Sequence, residues 1–144
     1  MTDFPVLSAT TFLPLVGVAV ILLLGSERLA RWIALVTTLA TLAASVPLYC
    51  SGYPWSFDKE SSALQFVEHA TWIPTWNIAY QMGVDGISLP FIFLAAVLSV
   101  LCVGVSWTAV QTRVCEFYAA LLVAETAMIG LFASANLFLF FVFW

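Results

Sequence analysis

One carboxyl carries most of the chemistry this sequence can offer. Glu125 lies in the middle of the apolar run from Phe117 to Phe132, with no Lys, Arg or His within a helical turn of it. A charged side chain at the centre of a membrane span costs about 2.5 to 3.5 kcal/mol on insertion scales, taking Glu to resemble Asp. The large apolar residues of the run return roughly 0.3 to 0.6 kcal/mol each, about 2 to 4 in sum. The run therefore inserts with little to spare, and Glu125 has two readings: a proton-relay carboxyl facing a wet cavity, or a protonated hydrogen-bond donor to a neighbouring helix. Elsewhere, His69 beside Glu68 could titrate near neutral pH, although a histidine in a polar loop is ordinarily just solvated. Cys50, Cys102 and Cys115 stand too far apart for ligand spacing and read as small apolar fillers. No Gly-rich phosphate loop, paired-cysteine cluster motif, haem attachment motif or nucleophile elbow occurs, so no redox step is assigned to these residues.

Glu125 needs an apolar scaffold, and composition supplies one. Of 144 residues, 63% are hydrophobic and 8% charged, whereas soluble domains carry about 25% charged residues. Mean hydropathy is +1.07. The expected class is an all-α integral membrane protein, and no basic patch points to nucleic acid. Apolar runs place complete spans at about 6–25, 32–49, 87–107 and 117–132, each long enough for a hydrocarbon core of about 30 Å. A partial fifth span covers 137–144. Eight helical residues reach only about 12 Å, so the sequence reads as the front part of a longer polypeptide, a single membrane domain over 1–144. A signal peptide is the rival reading of the first run; against it, no basic residue precedes the run, the run is too long for an h-region, and Ser26-Glu27-Arg28 is not a small-residue cleavage site.

Within the spans, Pro14 should kink the first, with Thr10 and Thr11 available to satisfy the break. Thr37, Thr41 and Ser45 recur every four residues on the second, as a packing stripe or a hydrated path. Asp85 or Ser88 can cap the third. If Asp85 does, Pro90 falls too deep for the tolerated first turn and should bend the helix.

The long loop and hairpin region, 51–86, is the only extended polar stretch. Trp76, Ile78, Tyr80, Met82 and Val84 alternate with Asn77, Ala79, Gln81 and Gly83, the period of a half-buried strand. Leu64, Phe66 and Ile73 precede it less regularly, Pro74-Thr75 supplies a turn, and Asp85-Gly86 closes the expected β-hairpin. Arg28, Arg31 and Arg113 fall in the first and third connections, while the loop holds Lys59 among Asp58, Glu60, Glu68 and Asp85. The positive-inside rule then places the N-terminus and the hairpin outside.

These residues resemble a known family. Phe12-Leu13-Pro14-Leu15 and Gln65-Phe66-Val67-Glu68 come first, then the most specific block, from Trp72-Ile73-Pro74 through Tyr80 to Gly83-Val84-Asp85-Gly86-Ile87-Ser88-Leu89. Ser106-Trp107, Glu116-Phe117-Tyr118, Met128-Ile129-Gly130 and Phe138 to Trp144 follow. Together they look like the subunit M (chain 4) family of the proton-pumping NADH–quinone oxidoreductase, respiratory complex I, and the match covers essentially the whole chain. The resemblance implies an antiporter-like membrane subunit of about fourteen spans in a bacterial cytoplasmic membrane, with a mitochondrial inner membrane the lesser alternative. Such a subunit moves protons while others, carrying NADH, FMN, iron–sulfur clusters and quinone, transfer electrons. No cofactor or metal is expected on this chain, and its partners would be the neighbouring membrane subunits and the lipid bilayer. In the family a Glu directly after the aromatic pair of the fifth helix belongs to the proton machinery. Here Phe143-Trp144 ends the sequence, so that Glu and the later Lys residues lie outside it. Asn136 stands where many members have Asp, and Glu125 resembles a Glu that some members carry. The alternatives are an Mrp-type sodium/proton antiporter subunit, which neighbouring antiporter genes would favour, and a non-transporting scaffold or assembly module, which stability as a four-span protein would favour.

Overall fold

The computed structural model describes residues 5–50, 64–73 and 78–144. In chain order it has α1 (Val6–Leu24), α2 (Glu27–Cys50), β1 (Gln65–Ile73), β2 (Ile78–Val84), α3 (Ser88–Ala109), α4 (Val114–Ala133) and α5 (Leu137–Phe143). Helices α1 to α4 are long and apolar enough to cross a membrane. They run up and down as a bundle, with the hairpin at one end and the arginine-bearing connections at the other. The bundle's outer surface is apolar: Leu23, Val36, Leu101 and Val105 are exposed. In water such a surface would be an aggregation liability, and against lipid tails it needs no partner.

Two helices start earlier than the apolar runs indicate. The second begins at Glu27 rather than 32, because α1 is stopped by Gly25 in the left-handed region (φ 59°), whose N–H donates to the Ile21 carbonyl at 3.0 Å. The fourth begins at Val114 rather than 117, after Arg113 at φ 53°. Apolar runs mark the lipid-embedded part of a helix. Its polar first turn lies beyond that and is invisible to hydropathy.

The third helix settles the capping question differently from expectation. Asp85 Oδ1 accepts from the Ile87 and Ser88 N–H groups at 3.0 and 2.6 Å, and Ser88 Oγ accepts from the Asp85 N–H at 2.9 Å. This is a reciprocal capping box. The backbone N–H of Ser88 is the largest influence holding the Asp85 carboxyl below the usual aspartate range. Residues 86–87 form a turn, so Pro90 is only the third residue of regular helix, where a missing N–H costs little. In α1, Thr10 and Thr11 donate to the Val6 and Leu7 carbonyls at 2.8 and 2.9 Å, one turn above the Thr10 carbonyl that Pro14 leaves without its usual donor.

The hairpin is antiparallel, pairing Gln65 with Val84 and Ala70 with Tyr80. Its first strand is irregular because the register shifts between Gln65 and Glu68, where Phe66 takes φ 51°, a conformation that strains a non-glycine residue. The expected Pro74-Thr75 turn, together with Trp76 and Asn77, lies outside the described residues, as do Asp58, Lys59 and Glu60. Met82 and Val84 are buried as the alternation requires, but so is Gly83. The chain between α4 and α5 covers it: Ala135 N–H donates to the Gln81 carbonyl at 3.1 Å, and Ser134 bridges to Met82.

Inside the bundle the apolar core divides in two. Toward the hairpin, Leu7, Leu48, Ile92, Ile129 and Ala133 pack with Met82 and Val84. Toward the arginine end, Ile21, Ala34, Val103, Val114, Tyr118 and Leu122 form a second cluster. Between them lies a layer of buried polar side chains: Thr10 and Thr11 on α1, Thr38, Thr41 and Ser45 on α2, Ser99 on α3, Glu125 and Thr126 on α4. The buried stripe of α2 thus runs through Thr38, while Thr37 is only half-buried and meets α1 from the side. There a Cβ on Gly17 would lie 2.6 and 2.8 Å from Thr37 Oγ1 and Cγ2 and 3.1 Å from Leu122 Cδ1. A β-branched side chain has no rotamer that clears both atoms. Gly17→Ala should therefore destabilise the bundle by about 1 to 3 kcal/mol, read as a lower unfolding midpoint in detergent. An unchanged midpoint would show that α1 and α2 have slack at this crossing.

Candidate functional site

Glu125 sits in that polar layer, 0% exposed, and neither carboxyl oxygen has a hydrogen-bond partner among the described residues. The hydroxyls of the layer are already committed. Thr38, Thr41 and Ser45 donate to the Leu35, Thr37 and Leu42 carbonyls, Ser99 to Ala95, and Thr126 to Leu122, at 2.7 to 3.2 Å. What they still offer is lone pairs. Among acceptor oxygens a protonated Glu125 has a hydrogen bond to donate, whereas an ionised one has none to receive.

A second cluster joins the hairpin to the bundle. The first residues of a helix leave N–H groups without intrahelical acceptors, and α1 follows Pro5, whose side chain cannot accept. Glu68 of β1 fills the role: its carboxylate accepts from the Leu7 N–H at 2.8 Å, from the Ser8 N–H at 3.1 Å and from the Ser8 hydroxyl. Negative charge at a helix N-terminus is also favoured by the helix dipole. Tyr80 Oη lies 2.7 Å from Ser8 Oγ and donates to Met82 Sδ. Burial pushes the Tyr80 phenol above its ordinary range; the Ser8 hydrogen bond lowers it and the Glu68 charge raises it further. The sequence held a signal for this contact, since a helix beginning at proline must find its cap elsewhere. At the neighbouring connection Asn136 accepts from the Phe138 N–H at 2.9 Å and donates to the Ala79 carbonyl at 3.2 Å.

The remaining candidates are not gathered into either cluster. His69 is exposed on β1, opposite Gln81. Cys102 is exposed on the outer surface and Cys115 half-buried, and both are free thiols. Among the described residues no three His, Cys, Asp or Glu side chains approach closely enough to hold a metal. At the arginine end, Arg31 Nη2 donates to the Val110 carbonyl at 2.9 Å, tying the start of α2 to the end of α3. The Trp32 and Trp107 rings meet edge to face 5.2 Å apart at that end, and Trp72 and Phe138 at 5.8 Å at the other. Aromatic pairs at both ends are what two membrane interfaces favour.

No family model matches the chain. Curated proteins do. NADH-quinone oxidoreductase subunit M of Rhodobacter capsulatus is 38% identical over 95% of the chain and 26% of its own length. The chain is a relative of the subunit M and chain 4 proteins. NAD(P)H-quinone oxidoreductase chain 4 3 of Picosynechococcus is 35% identical over 99% of the chain and 25% of its own length. F(420)H(2) dehydrogenase subunit M of Methanosarcina mazei is 30% identical over 97% and 27%. The chain spans about a quarter of the length of these relatives. Subunit M kinship and four membrane-length helices together make this a multi-pass membrane protein.

Proposed function

We propose that this chain forms part of a membrane subunit that couples electron transfer from NADH to quinone to the translocation of protons. The observation that carries the reading is Glu125, a buried carboxyl without a partner at mid-depth in a bundle related to subunit M. Relatives named for NADH and for F(420)H(2) share this stretch. What they have in common here therefore concerns the membrane step rather than oxidation of the donor. Those names also favour the oxidoreductase reading over an antiporter subunit or a passive scaffold. On this reading NADH, FMN, iron–sulfur clusters and quinone are handled by other subunits, the neighbours are antiporter-like membrane subunits, and Glu125 lies on the proton path. Arg28, Arg31 and Arg113 gather at one end of the bundle, which supports a cytoplasmic arginine end with the hairpin and N-terminus outside; similarity to the subunit M of Rhodobacter capsulatus supports residence in a bacterial inner membrane.

The test is removal of the gene and its return in the host. Inverted membrane vesicles should lose NADH-driven, uncoupler-sensitive proton uptake on deletion and regain it on complementation. Retained uptake together with lost sodium/proton exchange would replace this reading with the antiporter one.

A further inference from the structure

Among the described residues, the buried polar side-chain atoms that lack a partner belong to three residues only: Arg31 Nε, Tyr118 Oη and both oxygens of Glu125. They are not scattered. Tyr118 and Glu125 lie seven residues apart on the buried face of α4, which the helical rise converts to about 10 Å of depth. Arg31 stands at the start of α2, held by the end of α3. The Val110 that it holds packs against the cluster containing Tyr118, which puts the two side chains at the same end of the bundle. From the arginine end inward the order is Arg31, Tyr118, Glu125.

Buried polar groups in folded proteins are almost always hydrogen-bonded, to protein or to ordered water. Among the described residues, protein donors and acceptors do not reach these four atoms. A buried water needs two to four polar partners; at the Glu125 end the buried hydroxyls of Thr38, Thr41 and Thr126, whose protons are already given to backbone carbonyls, offer lone pairs.

We infer that water enters the bundle from the arginine end and connects Arg31, Tyr118 and Glu125 as a proton inlet. Arg31 is a positioning residue. Its Nε–H donates to the first water and occupies a lone pair, which turns that water's hydrogens inward. Tyr118 relays by exchange: its oxygen takes a proton from the water on the Arg31 side as its own O–H proton passes to the water on the Glu125 side. One O–H bond forms and one breaks at each oxygen, and the phenol ends neutral. The inlet rests on the proposed proton role of Glu125, which it supplies from one side of the membrane.

The test uses the complete protein in its assembled complex, with Cys50, Cys102 and Cys115 replaced by serine. Silver ion in nitrate buffer is the probe, because it is small, reacts with thiols through water and does not cross lipid. Thr38→Cys, a near-isosteric change, should be blocked at least about tenfold faster with silver on the arginine side than on the hairpin side. The lipid-facing Val123→Cys should react slowly from both. Thr38→Cys as inert as Val123→Cys overturns the inlet. Tyr118→Phe, which removes only the hydroxyl, should slow NADH-driven proton uptake at least about threefold with the amount of complex unchanged; undiminished uptake removes Tyr118 as relay. Silver labelling does not depend on transport. If Thr38→Cys reacts while Glu125→Gln pumps normally, the reading of Glu125 is what fails.

Discussion

Glu125→Gln is expected to lower NADH-driven proton uptake by the assembled complex at least about tenfold, equivalent to about 1.4 kcal/mol in barrier height, while the amount of subunit in the membrane stays constant. The substitution keeps the length, shape and neutral hydrogen-bonding capacity of the side chain, so packing between the two core clusters should hold. It removes the one thing a carboxyl adds, a proton that can leave and return. Groups that transfer protons at a rate-limiting position typically contribute factors of about 10² to 10⁴, and the lower bound allows for parallel routes. Glu125→Asp is the companion: it restores the titrating group one methylene short and should recover part of the rate. The measurement is uptake by inverted vesicles, with quinone reduction followed separately. Equal, undiminished rates for the Gln and Asp variants would return Glu125 to a purely architectural role.

Glu68→Ala should destabilise the protein by about 2 kcal/mol, within the range of roughly 1.5 to 3 for hydrogen bonds to a charged group. Two backbone N–H groups of α1 and the Ser8 hydroxyl lose their acceptor at once, and among the described residues no other side chain caps that helix end. Glu68→Gln keeps one carbonyl oxygen and should cost less. A second glutamate sets the scale. Glu116 pairs with Arg113, but the two side chains are 62% and 78% exposed, and exposed pairs contribute between nothing and about 1 kcal/mol. Unfolding in detergent should therefore rank the variants with Glu68→Ala lowest, Glu68→Gln between, and Glu116→Ala near the parent. If Glu68→Ala melts with the parent, the hairpin is not what secures α1.

Four spans, the hairpin and the start of a fifth helix were legible in the sequence because apolar runs and strand alternation answer to burial, the same force that builds them. Helix ends were less legible. The polar turns at Glu27 and Val114 are helical for reasons of backbone geometry, through Gly25 and Arg113 in the left-handed region, and hydropathy carries no record of that. Glu125 stood out because a lone carboxyl in an apolar run is costly wherever the helix packs. Its setting between two apolar clusters was not readable, since it takes four helices to make the layer. Glu68 looked like one loop acid among several, because nothing local shows that the first turn of a distant helix needs it. Nothing in the sequence singles out Tyr118 for burial, yet it is fully buried in the fold because side chains from all four long helices pack around it.

The cap on α1 has a consequence for how the protein is made. Leu7 and its acceptor are 61 positions apart, so the leading turn of the first helix stays without its cap until the hairpin strand that carries Glu68 has folded back onto it. During that interval exposed amide groups mark the molecule as unfinished. Docking of the hairpin ends the interval, so the first helix is completed by a contact made late in folding, between segments far apart in the chain.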